Sequence, residues 1–366
     1  VEMPLVEVLV RMQRNGVALD TASLEEMSCV LGKRMTELEW EIYRDVGHEF
    51  NINSPQQLGA VLFGELGLPR AKKTKSGYST DAAVLEGLKG AHPVIEPLLE
   101  YRQLTKVKST YVDALRDLIN PMTRRVHTSF NQTATVTGRL SSSEPNLQNI
   151  PIRGELGKQV RKAFVAGEGR FLLSADYSQI ELRVMAHLSQ DARLLSAFAC
   201  DEDIHASTAS EVFGVAKEEV TAEMRRVAKT VNFGVIYGMS DYGLERATEL
   251  SREMAAGFIR DYFERYPKVK EYIEATKQQA REQGYVQTIL GRRRYIPEIH
   301  SPNRQVREAA ERMAINMPVQ GTAADVIKLA MIRLQGRMDG LGLRSRMILQ
   351  VHDELLFDVP EDELDK

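Results

Sequence analysis

Residues 347–359 read Met347-Ile348-Leu349-Gln350-Val351-His352-Asp353-Glu354-Leu355-Leu356-Phe357-Asp358-Val359. Two apolar, β-branched runs flank the polar His352-Asp353-Glu354, a pattern that predicts two strands closed by a tight hairpin. A second apolar run, Phe171-Leu172-Leu173-Ser174-Ala175, predicts a short buried strand ending at Asp176. Thr, Ser and β-branched residues over His127–Leu140 predict further strand. Far apart in sequence, the three stretches are expected to form one small sheet. Almost everything between them is helical in pattern, so the expected fold class is α+β, one sheet-bearing module with two helical lobes.

The helical expectations are specific. Leu24, Met27, Leu31, Met35, Leu38 and Ile42 recur at three- and four-residue steps and predict a helix over 22–47. Ser54-Pro55 predicts a helix start, and a long helix is expected over about 94–119. Arg70–Ser79 is basic and apolar-poor and reads as a mobile loop. From Gln179 to Gln283 helices are expected with breaks at Gly214, Gly238 and Pro267. Pro318 is expected to separate two helices, 308–316 and 323–338.

Composition narrows the function classes. The chain has 366 residues, 43% hydrophobic and 27% charged, with a net charge of −3. Two cysteines, Cys29 and Cys200, lack metal-ligand or disulfide-framework spacing and fit a reducing, cytoplasmic setting. No apolar run reaches membrane-span length, so no membrane partner is expected. Val1 opens directly in an apolar pattern and Glu361–Lys366 reads as a first helical turn, so a piece of a longer protein is expected. The charge is uneven: residues 101–170 carry twelve Lys/Arg against five Asp/Glu. Arg102, Lys106, Lys108, Arg139, Arg153, Arg161 and Lys162 fall in that block, and Arg292-Arg293-Arg294 forms a second cluster. Basic clusters near carboxylates favour a phosphate-backbone partner over a merely solvated face.

Asp176 at a strand end and Asp353 in a hairpin are placed to be rigid yet open. A pair of carboxylates on neighbouring strands can hold two Mg²⁺ ions together with substrate phosphates; taken singly, each could equally cap a helix or fit a turn. Arg225, Lys229, Phe233 and Tyr237 recur every four residues and share one side of a helix. Two cations followed by two aromatics suit a triphosphate and a sugar or base. Gly234 and Gly238 are read as letting a planar base approach the backbone.

These segments together resemble the polymerase region of family A DNA polymerases. Asp176-Tyr177-Ser178-Gln179-Ile180-Glu181-Leu182-Arg183 is similar to the family's first motif, Arg225–Gly238 to its second and Val351-His352-Asp353-Glu354 to its third. Thr137–Ser142, Asn146–Pro151 and Asn316–Thr322 also match family segments. The resemblance implies a right-hand polymerase with a small antiparallel palm sheet and helical thumb and fingers. The implied lobes are palm at 1–19, 119–190 and 313–366, thumb at 20–118 and fingers at 191–312.

It further implies that Asp176 and Asp353, with Tyr177 beside them, hold two Mg²⁺ ions, with Glu354 close by. Arg225, Lys229, His205 and Gln179 are implied at the incoming deoxynucleoside triphosphate, with Lys229 also counted among the catalytic residues. Phe233 is implied to stack on the nucleotide, Tyr237 to stand at the template entrance and Glu181 to lie against the sugar. Arg139, Gln148, Asn149, Gln320, His352 and Asn316 are implied at primer–template DNA; Lys106 and Lys108 join them as phosphate-binding cations. The implied activity is addition of deoxynucleotides to a primer 3′-OH by a monomer. The alternatives are a two-metal nuclease, which has no use for the Arg225–Phe233 stripe, and a non-catalytic DNA-binding fragment, which leaves Asp176 and Asp353 unexplained. No GxxxxGK[ST] motif supports a nucleotide-hydrolysing enzyme.

Overall fold

The computed structural model describes the chain except residues 70–72, 75, 76, 152, 153 and 249. Its contacts separate into two compact units. One comprises Val1–Met12, Phe130–Ser141 and Leu173–Phe357, the other Gln13–Ser129, Ser142–Leu172 and Asp358–Lys366.

The second unit is mainly helical. Its helix Thr21–Val46 starts at Asp20, whose carboxylate accepts the Ser23 N–H at 3.1 Å, and stops at Gly47 with φ +93°. The expected apolar stripe is its core face, with Leu24, Leu31, Leu38 and Ile42 buried. Ser54 caps Pro55–Ala60 as the Ser-Pro pair predicts. The expected long helix is present but locally widened: Ile95–Val107 continues through a π-helical turn, Lys108–Asp113, into Ala114–Asp117. Within the stretch expected to be a loop, Lys73–Thr74 pairs antiparallel with Gly77–Tyr78; Arg70, Ala71, Lys72, Lys75 and Ser76 lie outside the described residues. A three-stranded antiparallel sheet orders Arg125–Val126, Val17–Leu19 and Phe164–Val165. Beside it the fully buried Asp358 pairs with Arg125 at 2.8 Å and accepts the Gly167 N–H at 3.2 Å.

In another three-stranded sheet Glu354–Pro360 lies between Arg346–Val351 and Arg170–Asp176, and its residues 173–176 and 346–357 belong to the first unit. The hairpin expectation holds, but the single-sheet expectation does not: Ser129–Asn131 pairs with Ser141–Ser143 in a separate two-stranded sheet. Residues 132–140 instead make turns, because Thr135 and Gly138 close a loop through Gly138 N–H to Thr135 O at 3.3 Å. The 170–176 strand is also not buried as expected; Phe171 and Leu173 are 47% and 45% exposed.

Between Gln179 and Gln283 the breaks fall where expected. Gly214 and Gly238 have positive φ, and Pro267 opens the helix Pro267–Gln283. A further difference is Pro318. It lies inside one 37-residue helix, Arg304–Gly340, rather than between two. A proline inside a helix costs roughly 3 kcal/mol. Burying Ile315, Met317, Val319, Ile327 and Met331 along this helix contributes about 1.5–3 kcal/mol each, so tertiary burial outweighs the local preference. Part of that core is the cluster Ala280, Val286, Ile296, Ile299, Ala310, Ala314 and Met317.

Candidate active site

Two backbone turns bring the carboxylates together. Asp176 ends its strand, and the next N–H, that of Tyr177, donates to the Asp353 carbonyl at 3.1 Å. His352, with φ +53°, makes the tight turn that presents Asp353. Glu354 begins the following strand and accepts a short hydrogen bond from the Ser174 hydroxyl. The first unit therefore places Asp176, Asp353 and Glu354 around one strand end.

The electrostatics of this cluster all run one way. Burial raises the Asp353 carboxyl above its ordinary range, Arg139 opposes the rise and Asp176 adds to it. Desolvation also raises Asp176, helped by repulsion from Glu354 and opposed by Lys229. Glu181, on the first turn of Ile180–Ser189, is 6% exposed and is pushed up to about 7. Burial is its leading cause, against attraction to Arg139, whose Nη2 lies 2.5 Å from Glu181 Oε1. Among the described residues no group of three or more His, Cys, Asp or Glu is placed to hold a metal ion. The donor set is instead two clustered, partly desolvated aspartates. A pair of carboxylates is the kind of donor set that suits a hard divalent cation keeping water and substrate phosphates as further ligands.

The cation–aromatic stripe lies on Ala222–Ile236, capped by the Thr221 hydroxyl accepting from Met224 N at 3.2 Å. Val227, Ala228, Val231, Asn232 and Val235 face the core, while Arg225 and Lys229 are exposed and Phe233 is half-buried. Tyr237 is the C-cap, one step past the regular helix, with its ring centroid 6.4 Å from that of Phe233. Arg225 forms an ion pair with Asp203 at 2.6 Å. His205 is 2% exposed and its ring lies tilted against that of Phe233, centroids 5.8 Å apart. Burial, reinforced by Arg225 and Lys229, pushes its pKa down to about 4, so the ring is neutral at pH 7. The Asn232 amide lies 3.0 Å from His205 Nδ1, which leaves Nε2 as the protonated nitrogen; that Nε2 is buried and without a protein partner.

Gln179 adopts a left-handed conformation, φ +55°, and its Oε1 is buried without a partner. Asn316 and Gln320 stand one turn apart on Arg304–Gly340, and Asn316 Oδ1 is likewise buried and unpartnered. Tyr177 and His352 are exposed beside the aspartates. Gln148 and Asn149 belong to the other unit, in the turn Leu147–Asn149, where the Tyr111 hydroxyl donates to the Asn149 carbonyl at 2.6 Å.

Several expected cations prove to be engaged inside the protein. Lys108 Nζ lies 2.6 Å from Asp113 and 2.9 Å from the Ser28 hydroxyl, whereas Lys106 is exposed. Arg102 donates to Thr80. Arg292 pairs with Glu2 and Asp325, and Arg293 lies 4.6 Å over the Tyr285 ring. Arg153 lies outside the described residues. The reading of Gly234 is corrected too. It is buried, and an added Cβ would sit 3.0 Å from Met239 Sδ, so its lack of a side chain serves packing rather than a base. Asp203 and Asn232 escaped the sequence reading. The first was legible as the cap before Ile204-His205, the second as a lone amide on the apolar face of the stripe helix.

The family model for DNA polymerase family A matches residues 21–366. The chain is 55% identical to the thermostable DNA polymerase I of Thermus aquaticus over 364 residues, covering 99% of this chain and 44% of that protein. It is 53% identical to DNA polymerase I of Bacillus caldotenax over 367 residues, covering 100% of this chain and 42% of the relative. The chain thus spans under half the length of these relatives. A solved structure described as the POL domain of Pol1 from M. smegmatis, in complex with DNA primer-template and dNTP, superposes with a TM-score of 0.91. The two are 50% identical, and the match covers 98% of this chain and 64% of that one. With the matched model spanning nearly its whole length, the chain belongs to DNA polymerase family A.

Proposed function

We propose that the chain is the polymerase portion of a DNA-templated DNA polymerase, adding deoxynucleotides to a primer 3′-OH in DNA replication and repair. The carrying observation is the meeting, within one unit, of two aspartates raised by burial and mutual repulsion and a helix face that presents Arg225, Lys229 and Phe233, with Lys229 close enough to oppose the rise at Asp176. That pairing suits a substrate that is both metal-chelating and polyphosphate-bearing. The right-hand division into palm (1–19, 119–190, 313–366), thumb (20–118) and fingers (191–312) is part of this reading, as are a monomeric state and a cytoplasmic setting.

Asp176 and Asp353, with Tyr177, would hold two Mg²⁺ ions, and Glu354 would support them. When bound, the metal pair activates the primer hydroxyl and stabilises charge on the leaving phosphate. The protein's own groups do the rest. Lys229 and Arg225 bind the triphosphate as it accumulates charge. Neutral His205 offers its unpartnered Nε2–H to a phosphate oxygen without adding a charge. Phe233 stacks on the nucleotide and Tyr237 stands where the template enters. Glu181, held by Arg139, lies against the sugar edge, where a ribose 2′-OH collides with it. Gln179, whose side-chain oxygen is buried without a protein partner, binds the incoming nucleotide. Arg139, Gln320, Asn316, His352, Gln148, Asn149 and Lys106 bind primer–template.

A primer-extension assay with labelled primer, Mg²⁺ and four deoxynucleotides tests the reading. Elongation is expected; shortening of the primer would indicate a nuclease, and no change a DNA-binding fragment.

A further inference from the structure

Away from the aspartates, the first unit contains an ionic cluster that the chemistry above does not use. Lys328, 1% exposed, places Nζ 2.8 and 3.1 Å from the two Glu2 carboxylate oxygens. Arg292 donates from Nε and Nη2 to Asp325 Oδ1 at 2.9 and 2.6 Å, and Nη2 also reaches Glu2. The Thr288 hydroxyl donates to Asp325 Oδ2 at 2.7 Å, and Gln132 Nε2 to Glu2 Oε2 at 2.7 Å. Buried ion clusters are often no more stable than apolar replacements of the same shape, so stability alone is a poor reason for this one.

Its geometry supplies another reason. The Arg292 guanidinium lies directly on Gly138: a Cβ there would be 2.5 Å from Nε and 2.7 Å from Cζ. On the same turn the Thr137 carbonyl rests against Gly321, where an added Cβ would stand 3.2 Å from it. The turn is closed by the Thr135 hydroxyl donating to the Arg139 carbonyl at 2.6 Å. The residue after Gly138 is Arg139, which grips Glu181 at 2.5 Å. A continuous set of contacts therefore runs from Glu2 and Asp325, through Arg292 and Gly138, to the Arg139–Glu181 pair.

We propose that Arg292 is a positioning residue: held by Asp325 and Glu2 and pressed on Gly138, it fixes Arg139 on Glu181 and thereby sets selection between deoxyribose and ribose. The proposal rests on the reading of Glu181 as the residue against the sugar. Lysine can replace this arginine only in part, because it keeps the charge but loses the planar fork that meets Asp325 and Glu2 at once.

The test uses the whole chain as wild type, Arg292→Met, Arg292→Lys, Arg139→Ala and the double variant Arg139→Ala/Arg292→Met. Thermal melting first confirms folding. Single-nucleotide insertion is then measured with deoxy and ribo substrates, with kcat and KM resolved. Arg292→Met is expected to lower deoxy-over-ribo preference by about tenfold, the coupling typical of contacting groups. Arg292→Lys should lose part of the preference. The double variant should lose no more than Arg139→Ala alone, because both changes break one linkage. A folded Arg292→Met or Arg292→Lys with wild-type preference and merely slower insertion of both sugars overturns the proposal, as do losses that multiply in the double variant. If Arg292→Met does not fold, Arg292→Lys decides on the same criteria. A wild-type chain that binds primer–template yet extends nothing overturns the polymerase reading and the proposal with it, an outcome separable from the others.

Discussion

Two acidic clusters in the first unit behave in opposite ways. In the Glu2–Arg292–Asp325–Lys328 cluster the charges face partners of opposite sign. Burial pushes the Glu2 carboxyl up, but hydrogen bonds from Lys328, Arg292 and Gln132 overcome it and hold the pKa down at about 2. Around Asp176, Asp353 and Glu181 burial wins; each is raised, and Glu181 reaches about 7. The first cluster is complete within the protein. In the second, burial and repulsion among the carboxylates outweigh Lys229 and Arg139, and such perturbed groups gathered in one place mark a candidate binding site rather than a strut.

That contrast breaks first if the aspartates are dispensable. Asp353→Asn or Asp176→Asn should cut nucleotide addition by about a thousandfold or more while primer–template binding persists. Melting temperature should not fall, since a desolvated repelling charge is removed. Single-turnover insertion and a thermal melt check both halves. The complementary change, Asp325→Ala, should destabilise the fold by about 1–3 kcal/mol, because it removes the charge-assisted bonds from Arg292 and leaves Arg292 and Lys328 sharing the one Glu2 carboxylate. Chemical denaturation reads this out, and a loss below 1 kcal/mol would erase the distinction between the clusters.

Smaller effects sharpen the same contrast. Lys229→Ala removes a charge-assisted contact worth about 1.5–3 kcal/mol, seen as weaker apparent nucleotide affinity with DNA affinity kept. The pH dependence of the completed cluster has a defined sign. Glu2 is depressed in the folded state from 4.5 to about 2, so its stabilising contribution is full above pH 4.5 and is lost as pH falls through that window. Melting temperatures of the Glu2→Gln variant should therefore fall less steeply than wild type below pH 4.5. The mildest test compares two lysines two residues apart. Lys106→Ala should reduce the salt slope of DNA binding by about 0.9, the value for one phosphate contact. Lys108→Ala should leave it unchanged, since that ammonium already lies 2.6 Å from Asp113.

Much of the fold was legible in the chain. The Asp20 and Ser54 caps, the Leu24–Ile42 stripe and the hairpin around Asp353 follow from local chemistry that acts over a few residues. The site residues were legible as types and spacings: an aspartate after an apolar run, a cation–aromatic stripe at four-residue steps. Less legible was which cations are available. Lys106, Lys108 and Arg292 look alike in sequence, but one faces solvent, one meets Asp113, and one is locked between Glu2 and Asp325.

The sequence by itself determined the helix starts, the turn that presents Asp353 and the family to which the chain belongs, because each is written in neighbouring residues. Tertiary structure alone decided that Arg304–Gly340 runs unbroken through Pro318, where burial of the surrounding side chains exceeds the local cost of proline. It also decided which carboxylates are lowered by cationic partners and which are raised by burial and mutual repulsion. Glu2 meets Arg292 and Lys328 across some 290 and 326 residues of chain, and no local pattern can encode a partner at that distance.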